Sequence, residues 1–178
     1  VSLKGQFKQQ SPCFAILAGA SLLFALSGCS TVTTNQYEAT ARTTLTWKVG
    51  YSTNPGRNQE RIETFGSTSL LNRNGEKPEG AVIGPDEREL WWSALPPRPT
   101  LDEIEQRLQP AEKASQPEIL RDVNYQITYR SNGQSVTLPT NYDVYREVVK
   151  AYPSQTPLEL TLGVNDSSVE KAEPKFEN

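Results

Sequence analysis

The sequence predicts an α+β fold: a small, mainly antiparallel sheet of about five strands, with two short helices on one face. Three observations predict it. Leu45, Trp47, Val49 and Tyr51 alternate with polar residues, the period-two mark of a half-buried strand. Val123, Tyr125, Ile127 and Tyr129 do the same and lead into Asn132-Gly133, the favoured pair for a tight hairpin turn. Tyr145, Val148, Val149 and Tyr152 then recur at helical spacing. Strands joined by turns, with helices gathered on one side, make an antiparallel sheet with one covered face.

Ahead of this domain lies a segment of different character. Lys4 and Lys8 are its only charges, and an apolar run of 13 residues follows from Phe14 to Leu26. At about 1.5 Å per residue a helix of this run spans ~20 Å, short of the ~30 Å hydrocarbon core of a bilayer. A basic start, a short apolar centre and small residues at its end are the parts of a secretory signal. The run closes on Leu26-Ser27-Gly28-Cys29: a branched apolar residue, two small residues and a cysteine. This stretch resembles the lipobox of bacterial lipoprotein precursors.

The resemblance covers residues 1–30 and implies that residues 1–28 are a signal peptide removed before Cys29. It implies a diacylglycerol on the Cys29 thiol and an acylated amine, a membrane anchor facing the periplasm or exterior. Ser30 in place of Asp favours the outer membrane where enterobacterial sorting applies. Cys13 would be discarded and Cys29 lipidated, leaving no thiol for a disulfide, a metal or catalysis. Residues 29–41, small and polar, read as the lipidated N-terminus and a flexible tether. Residues 42–164 read as a single α+β domain, and 165–178 as a disordered tail.

Removal of residues 1–28 leaves 150 residues with 16 basic and 21 acidic side chains, a net charge of −5. That length suffices for one domain with a core. The acidic balance offers no electrostatic footprint for nucleic acid. The chain has no histidine, which excludes Ser-His-Asp and Cys-His catalysis and removes the commonest metal ligand. No cofactor or metal motif is present.

In chain order, Asn54-Pro55-Gly56 signals a turn, and a second strand runs from Arg61 to Leu71. Ile62 and Phe65 fall on opposite faces of it, so Gly66 is expected to mark a bulge that restores the register. Residues 72–88 form a long loop of the kind that is mobile or functional. Glu89 to Leu95 read as a strand that sends Trp91 and Trp92 to opposite faces. Pro96 to Pro99 read as a rigid connector. Thr100 and Glu103 form a capping box for a helix whose stripe is Leu101, Ile104 and Leu108. With Asn132-Gly133 as the hairpin loop, Ser131 faces Gln134, Tyr129 faces Val136 and Ile127 faces Leu138. Asn141 starts the second helix, Pro153 ends it, and Leu158, Leu160, Leu162 and Val164 alternate as a final strand.

Acid–base chemistry on sugars needs two carboxyls across a cleft. The candidates are Asp86, Glu87 and Glu89, or Asp102, Glu103 and Glu105. The second set lies in a first helical turn, where acids offset the helix dipole. A solvated surface explains both sets better, so the expectation is a non-enzymatic protein. Arg57, Arg61 and Arg73 are candidates for headgroup or glycan contact, but interspersed acids argue for an ordinary surface. Trp91 and Trp92 are the better candidates for partner contact, since an exposed tryptophan anchors interfaces. The expected function is to bind or position a protein partner, or to assist assembly of a membrane complex. A cell-wall glycan-binding module is the alternative, and a carboxylate-based hydrolase ranks third.

Overall fold

The structure is a computed structural model that describes residues 30–54 and 60–176. The signal segment, Cys29 and Arg57 lie outside the described residues. The strands are β1 (Thr31–Thr34), β2 (Tyr37–Ser52), β3 (Arg61–Arg73), β4 (Lys113–Ala114), β5 (Glu118–Ser131), β6 (Gln134–Thr140), β7 (Leu158–Leu162) and β8 (Val169–Pro174). The helices are α1 (Leu101–Glu105) and α2 (Tyr142–Ala151). One sheet has the order β1-β7-β8-β6-β5-β2-β3, with the short β4 paired to the end of β2. Neighbours are antiparallel except β6 and β8, which share one parallel bridge between Thr140 and Val169. A sheet covered by two helices is therefore present, but it is mixed, eight-stranded and dominates the molecule.

Three expectations change. Residues 29–41 were expected to form a tether, yet β1 and the start of β2 lie in the sheet. Thr31-Val32-Thr33-Thr34 is β-branched throughout, which suits a pleated edge even without a large apolar side chain. In β2, Ala39 and Ala41 are fully buried in the main core, among side chains of α2. The tail expected at 165–178 contains β8, whose Val169 and Ala172 reach the same core. Residues 89–95 are not a strand. They form only an isolated bridge between Ile83 and Trp92.

Several other local readings match the structure, although β7 ends at Leu162 and Val164 is 72% exposed. The β5–β6 hairpin pairs Ser131 with Gln134, Tyr129 with Val136 and Ile127 with Leu138. Asn132 and Gly133 both take positive φ, 50° and 79°, as a type I′ turn requires. Between β2 and β3, Thr46 pairs with Ser67 and Lys48 with Thr64, so Phe65 and Gly66 together oppose Trp47. Phe65 packs on Val49, Tyr51 and Ile104, and the bulge brings it onto the same face as Leu70 and Asn72. It does not bring Ile62 into register with Phe65, and Ile62 stays exposed on the other face. Asn141 caps α2 by accepting a 3.0 Å bond from the Val144 amide. The capping box of α1 forms as well, but the helix has five residues, less than two turns. It buries Ile104 and leaves Leu101 76% exposed, so the three-residue stripe does not form.

From Leu90, which packs in the main core with α2, residues 90–104 run along β2 on the covered face. Side chains of the hairpin hold their backbone. Thr43 Oγ1 donates to the Trp91 carbonyl at 2.8 Å, and Thr68 Oγ1 to that of Ala94 at 2.7 Å. Trp47 Nε1 donates to the Pro96 carbonyl at 2.9 Å, and the Tyr51 hydroxyl to that of Ile104 at 3.0 Å. Pro96 and Pro99 are buried, as befits a rigid connector. This strap completes the second core and positions the tryptophans.

Candidate functional site

The strap begins at a turn built by Asp86. One carboxylate oxygen accepts from the amides of Arg88 and Leu90, at 2.9 and 3.0 Å. The other accepts from Trp92 Nε1 at 2.8 Å. Asp86 thus has a structural role, and Glu87 and Glu89 beside it are exposed. Glu103 is occupied by its cap: bonds from the Thr100 backbone and hydroxyl hold its carboxyl below the usual range. Arg61 binds Glu112 through two nitrogens, at 3.2 and 2.7 Å, and also pairs with Glu63. Arg73 pairs with Glu38 at 2.7 Å. The two described arginines considered for headgroup contact are therefore engaged within the domain.

The tryptophans separate cleanly. Trp92 is 4% exposed, bound through its indole to Asp86, with the Arg121 guanidinium 5.5 Å from its ring. It is a core residue. Trp91 is half-buried, and the Lys77 ammonium lies 4.8 Å from its ring centroid. Its backbone is clamped by Asn72, whose Oδ1 accepts from the Trp91 amide at 2.7 Å and whose Nδ2 donates to the Trp91 carbonyl at 2.9 Å. Trp91 with Lys77 is thus an aromatic-cationic pair, its ring half-buried, at the edge of the strap, and Arg98 of the strap forms another over Trp47, 5.7 Å from its ring.

On one side of the Asp86 turn an open groove of about 630 Å³ is bounded by Arg88, Trp92, Arg121 and Val123. On the other lies a smaller cavity of about 200 Å³, more closely walled. One wall of it is a single face of α2, formed by Tyr142, Tyr145, Arg146, Val149 and Lys150 at i, i+3, i+4, i+7 and i+8. Opposite are Arg88, Glu89 and Gly75. Arg88 stacks 5.2 Å from the Tyr142 ring centroid. Gly75 follows Asn74, which exchanges two 2.8 Å bonds with the Ala39 backbone. Gly75 has a φ of +76°, and a Cβ there would meet Val149 Cγ1 at 2.6 Å, so this close approach to α2 requires glycine.

Tyr125, Tyr142 and Tyr145 pack together, with ring centroids 5.2 Å apart for Tyr125–Tyr145 and 5.9 Å for Tyr125–Tyr142. The hydroxyls of Tyr125 and Tyr145 are buried without a hydrogen-bond partner. The Arg88 guanidinium lies near the first and the Gly75 amide near the second, but neither contact has hydrogen-bond geometry. Burial, above all, pushes the Tyr145 phenol up to about 12. The unfolded chain releases this proton near pH 10, while the folded chain keeps it. The stability contribution is therefore intact below pH 10 and falls as pH rises from 10 toward 12. Tyr145→Phe is expected to be neutral or stabilising by up to about 1 kcal/mol at pH 7, because it removes an unpaired buried hydroxyl. It should also make the alkaline loss shallower, as measured by denaturant titrations from pH 8 to 11.5.

The cavity was not foreseen from the sequence. Tyr145 and Val149 stood out only as members of an apolar stripe. The available signal was Arg146 and Lys150 interleaved with them at i+4 spacing. Among the described residues, no cluster of three or more His, Cys, Asp or Glu has metal-site geometry. No described helix is long and apolar enough to cross a membrane. Compared with protein-family models, curated proteins and solved structures, the chain matches none.

Proposed function

We propose that this chain is a lipid-anchored, non-enzymatic bacterial envelope protein that binds or positions a protein partner, or helps assemble a membrane complex. The observation that carries the reading is the Leu26-Ser27-Gly28-Cys29 stretch directly ahead of a folded strand. Ser30 is already tied into the domain: its carbonyl accepts from the Leu162 amide at 2.8 Å, and its hydroxyl donates to Asp166. Consecutive Cα atoms are ~3.8 Å apart, so a lipid on Cys29 leaves the chain within two residues of β1. The anchor would then hold the domain close to its membrane, the outer membrane if the enterobacterial sorting rule applies. A weak partner on the same surface meets it at high effective concentration.

The contact surface proposed is Trp91 with Lys77, together with residues 74–88, the part of the expected 72–88 loop that lies beyond β3. Trp91 rides on the strap, which covers the sheet face of Thr43, Trp47 and Tyr51; the opposite face carries the polar Thr44, Thr46, Lys48, Gln126 and Thr128. That placement supports a protein contact over a glycan platform on the open sheet face. The test places a photo-crosslinking amino acid at Lys77 in cells. The expected result is one discrete adduct in the membrane fraction, lost when Trp91→Ala or Cys29→Ala is added. Retention of the purified protein on isolated cell-wall sacculi, with no adduct, would replace the reading with the glycan-binding one.

A further inference from the structure

We propose that the cavity between α2 and the Arg88 turn is a carboxylate-binding site. The inference goes beyond the proposed function and does not depend on the anchor. Its first basis is charge. The chain is acidic, with a net charge of −3, yet this cavity brings three cations, Arg88, Arg146 and Lys150, against one carboxylate, Glu89. Lys150 is partly neutralised by Glu147 at 2.7 Å. Among the described residues, Arg88 and Arg146 have no acidic partner. Two guanidinium groups lining one cavity suit a planar anion, which each can bind through paired N–H donors.

The second basis is construction. Arg88 is positioned rather than free. Asp86 fixes its backbone amide, and Tyr142 lies under its guanidinium. Arg146 projects from a capped helix whose opposite side is in the core. Tyr145 and Val149 supply an apolar part of the wall, and Gly75 keeps the gap closed at one end.

The third basis is size. A cavity of about 200 Å³ admits an acid of a few heavy atoms with a short apolar stem. Glu89 in the wall disfavours a doubly charged phosphate more than a monoanion. The occupant is thus either a free small acid or a carboxylate at the end or on a side chain of a peptide.

The test uses the full chain in detergent micelles and follows amide resonances. The probes are propanoate, its uncharged analogue propanamide, acetyl-alanyl-alanine and inorganic phosphate. Propanoate should produce saturable shifts at Gly75, Arg88 and Arg146, and propanamide none. Arg146→Gln and Arg88→Gln should each weaken the response about tenfold, as expected for loss of a charge-assisted pair. Lys113→Gln, at the far end of β2, should leave it unchanged. Tighter binding of acetyl-alanyl-alanine than of propanoate assigns the site to a peptide carboxylate, and equal binding assigns it to a free acid. An equal response to propanamide, an undiminished response in both arginine variants, or no response to either acid overturns the proposal. Stronger binding of phosphate than of both acids overturns the carboxylate assignment.

Discussion

Thr31→Gly, Val32→Ser, Thr33→Ser and Thr34→Gly, combined in one protein, are expected to lower stability by about 3–4 kcal/mol. The replacement keeps the length of the segment and removes the strand. Two glycines in a strand cost roughly 0.5–1 kcal/mol each through backbone entropy. Val32 packs at the edge of the main core, and losing that half-buried side chain costs about 1 kcal/mol. Thr34 is buried, and its hydroxyl lies 3.1 Å from the Arg130 carbonyl and 3.2 Å from that of Gln36, a contribution of about 1 kcal/mol. Denaturant unfolding of the purified variant measures the sum. A flexible tether would tolerate the change within about 0.5 kcal/mol, since Gly/Ser sequences serve as linkers themselves. Hydrogen exchange at Leu160 and Leu162, in β7, should rise in step with the loss.

Asn72→Ala is expected to cost about 2–4 kcal/mol. Asn72 is 1% exposed, and its amide side chain replaces a strand neighbour for the Trp91 backbone. Without it the Trp91 carbonyl keeps Thr43, but the Trp91 amide loses its partner. An orphaned buried donor costs about 1–3 kcal/mol, added to the bonds that are lost. Because the strap is held by such bonds in series, the variant should also loosen locally. Tryptophan emission should shift red and hydrogen exchange should rise through residues 90–95 before global unfolding. A variant within 0.5 kcal/mol of the parent, with unchanged emission, would mean that the strap is held by other means.

The parts of the fold that were readable from the sequence have short-range causes. Asn132-Gly133 dictates its own turn and thereby the register of β5 against β6. The stripe of Tyr145, Val148 and Val149 defines α2, and Gly66 marks the bulge of β3, although Ile62 stays on the face opposite Phe65. Elements without such a local signature were missed. β1 and β8 hold one or two apolar residues each. β1 enters the sheet through β7, far away in sequence, and β8, although it pairs with the neighbouring β7, has no clean alternation because Val169 and Ala172 are its only buried residues. The strap has no periodicity because side chains of Thr43, Asn72, Thr68 and Trp47 satisfy its backbone.

The candidate site divides in the same way. Trp91 and Trp92 stood out by residue type, but which one is buried depends on Asp86 reaching the Trp92 indole. The cavity joins Arg88 to Tyr142 and Arg146, and only the packing of the Asp86 turn against α2 brings them together.

The most direct test of the central claim is the intact mass of the protein recovered from membranes, for the wild type and for Cys29→Ala. The account predicts a mature wild type that begins at Cys29 and is heavier by at least a diacylglyceryl group. Cys29→Ala should lack both the cleavage and the added mass. A wild type of unmodified mass, soluble or still carrying residues 1–28, would contradict the anchor and the membrane-bound role built on it.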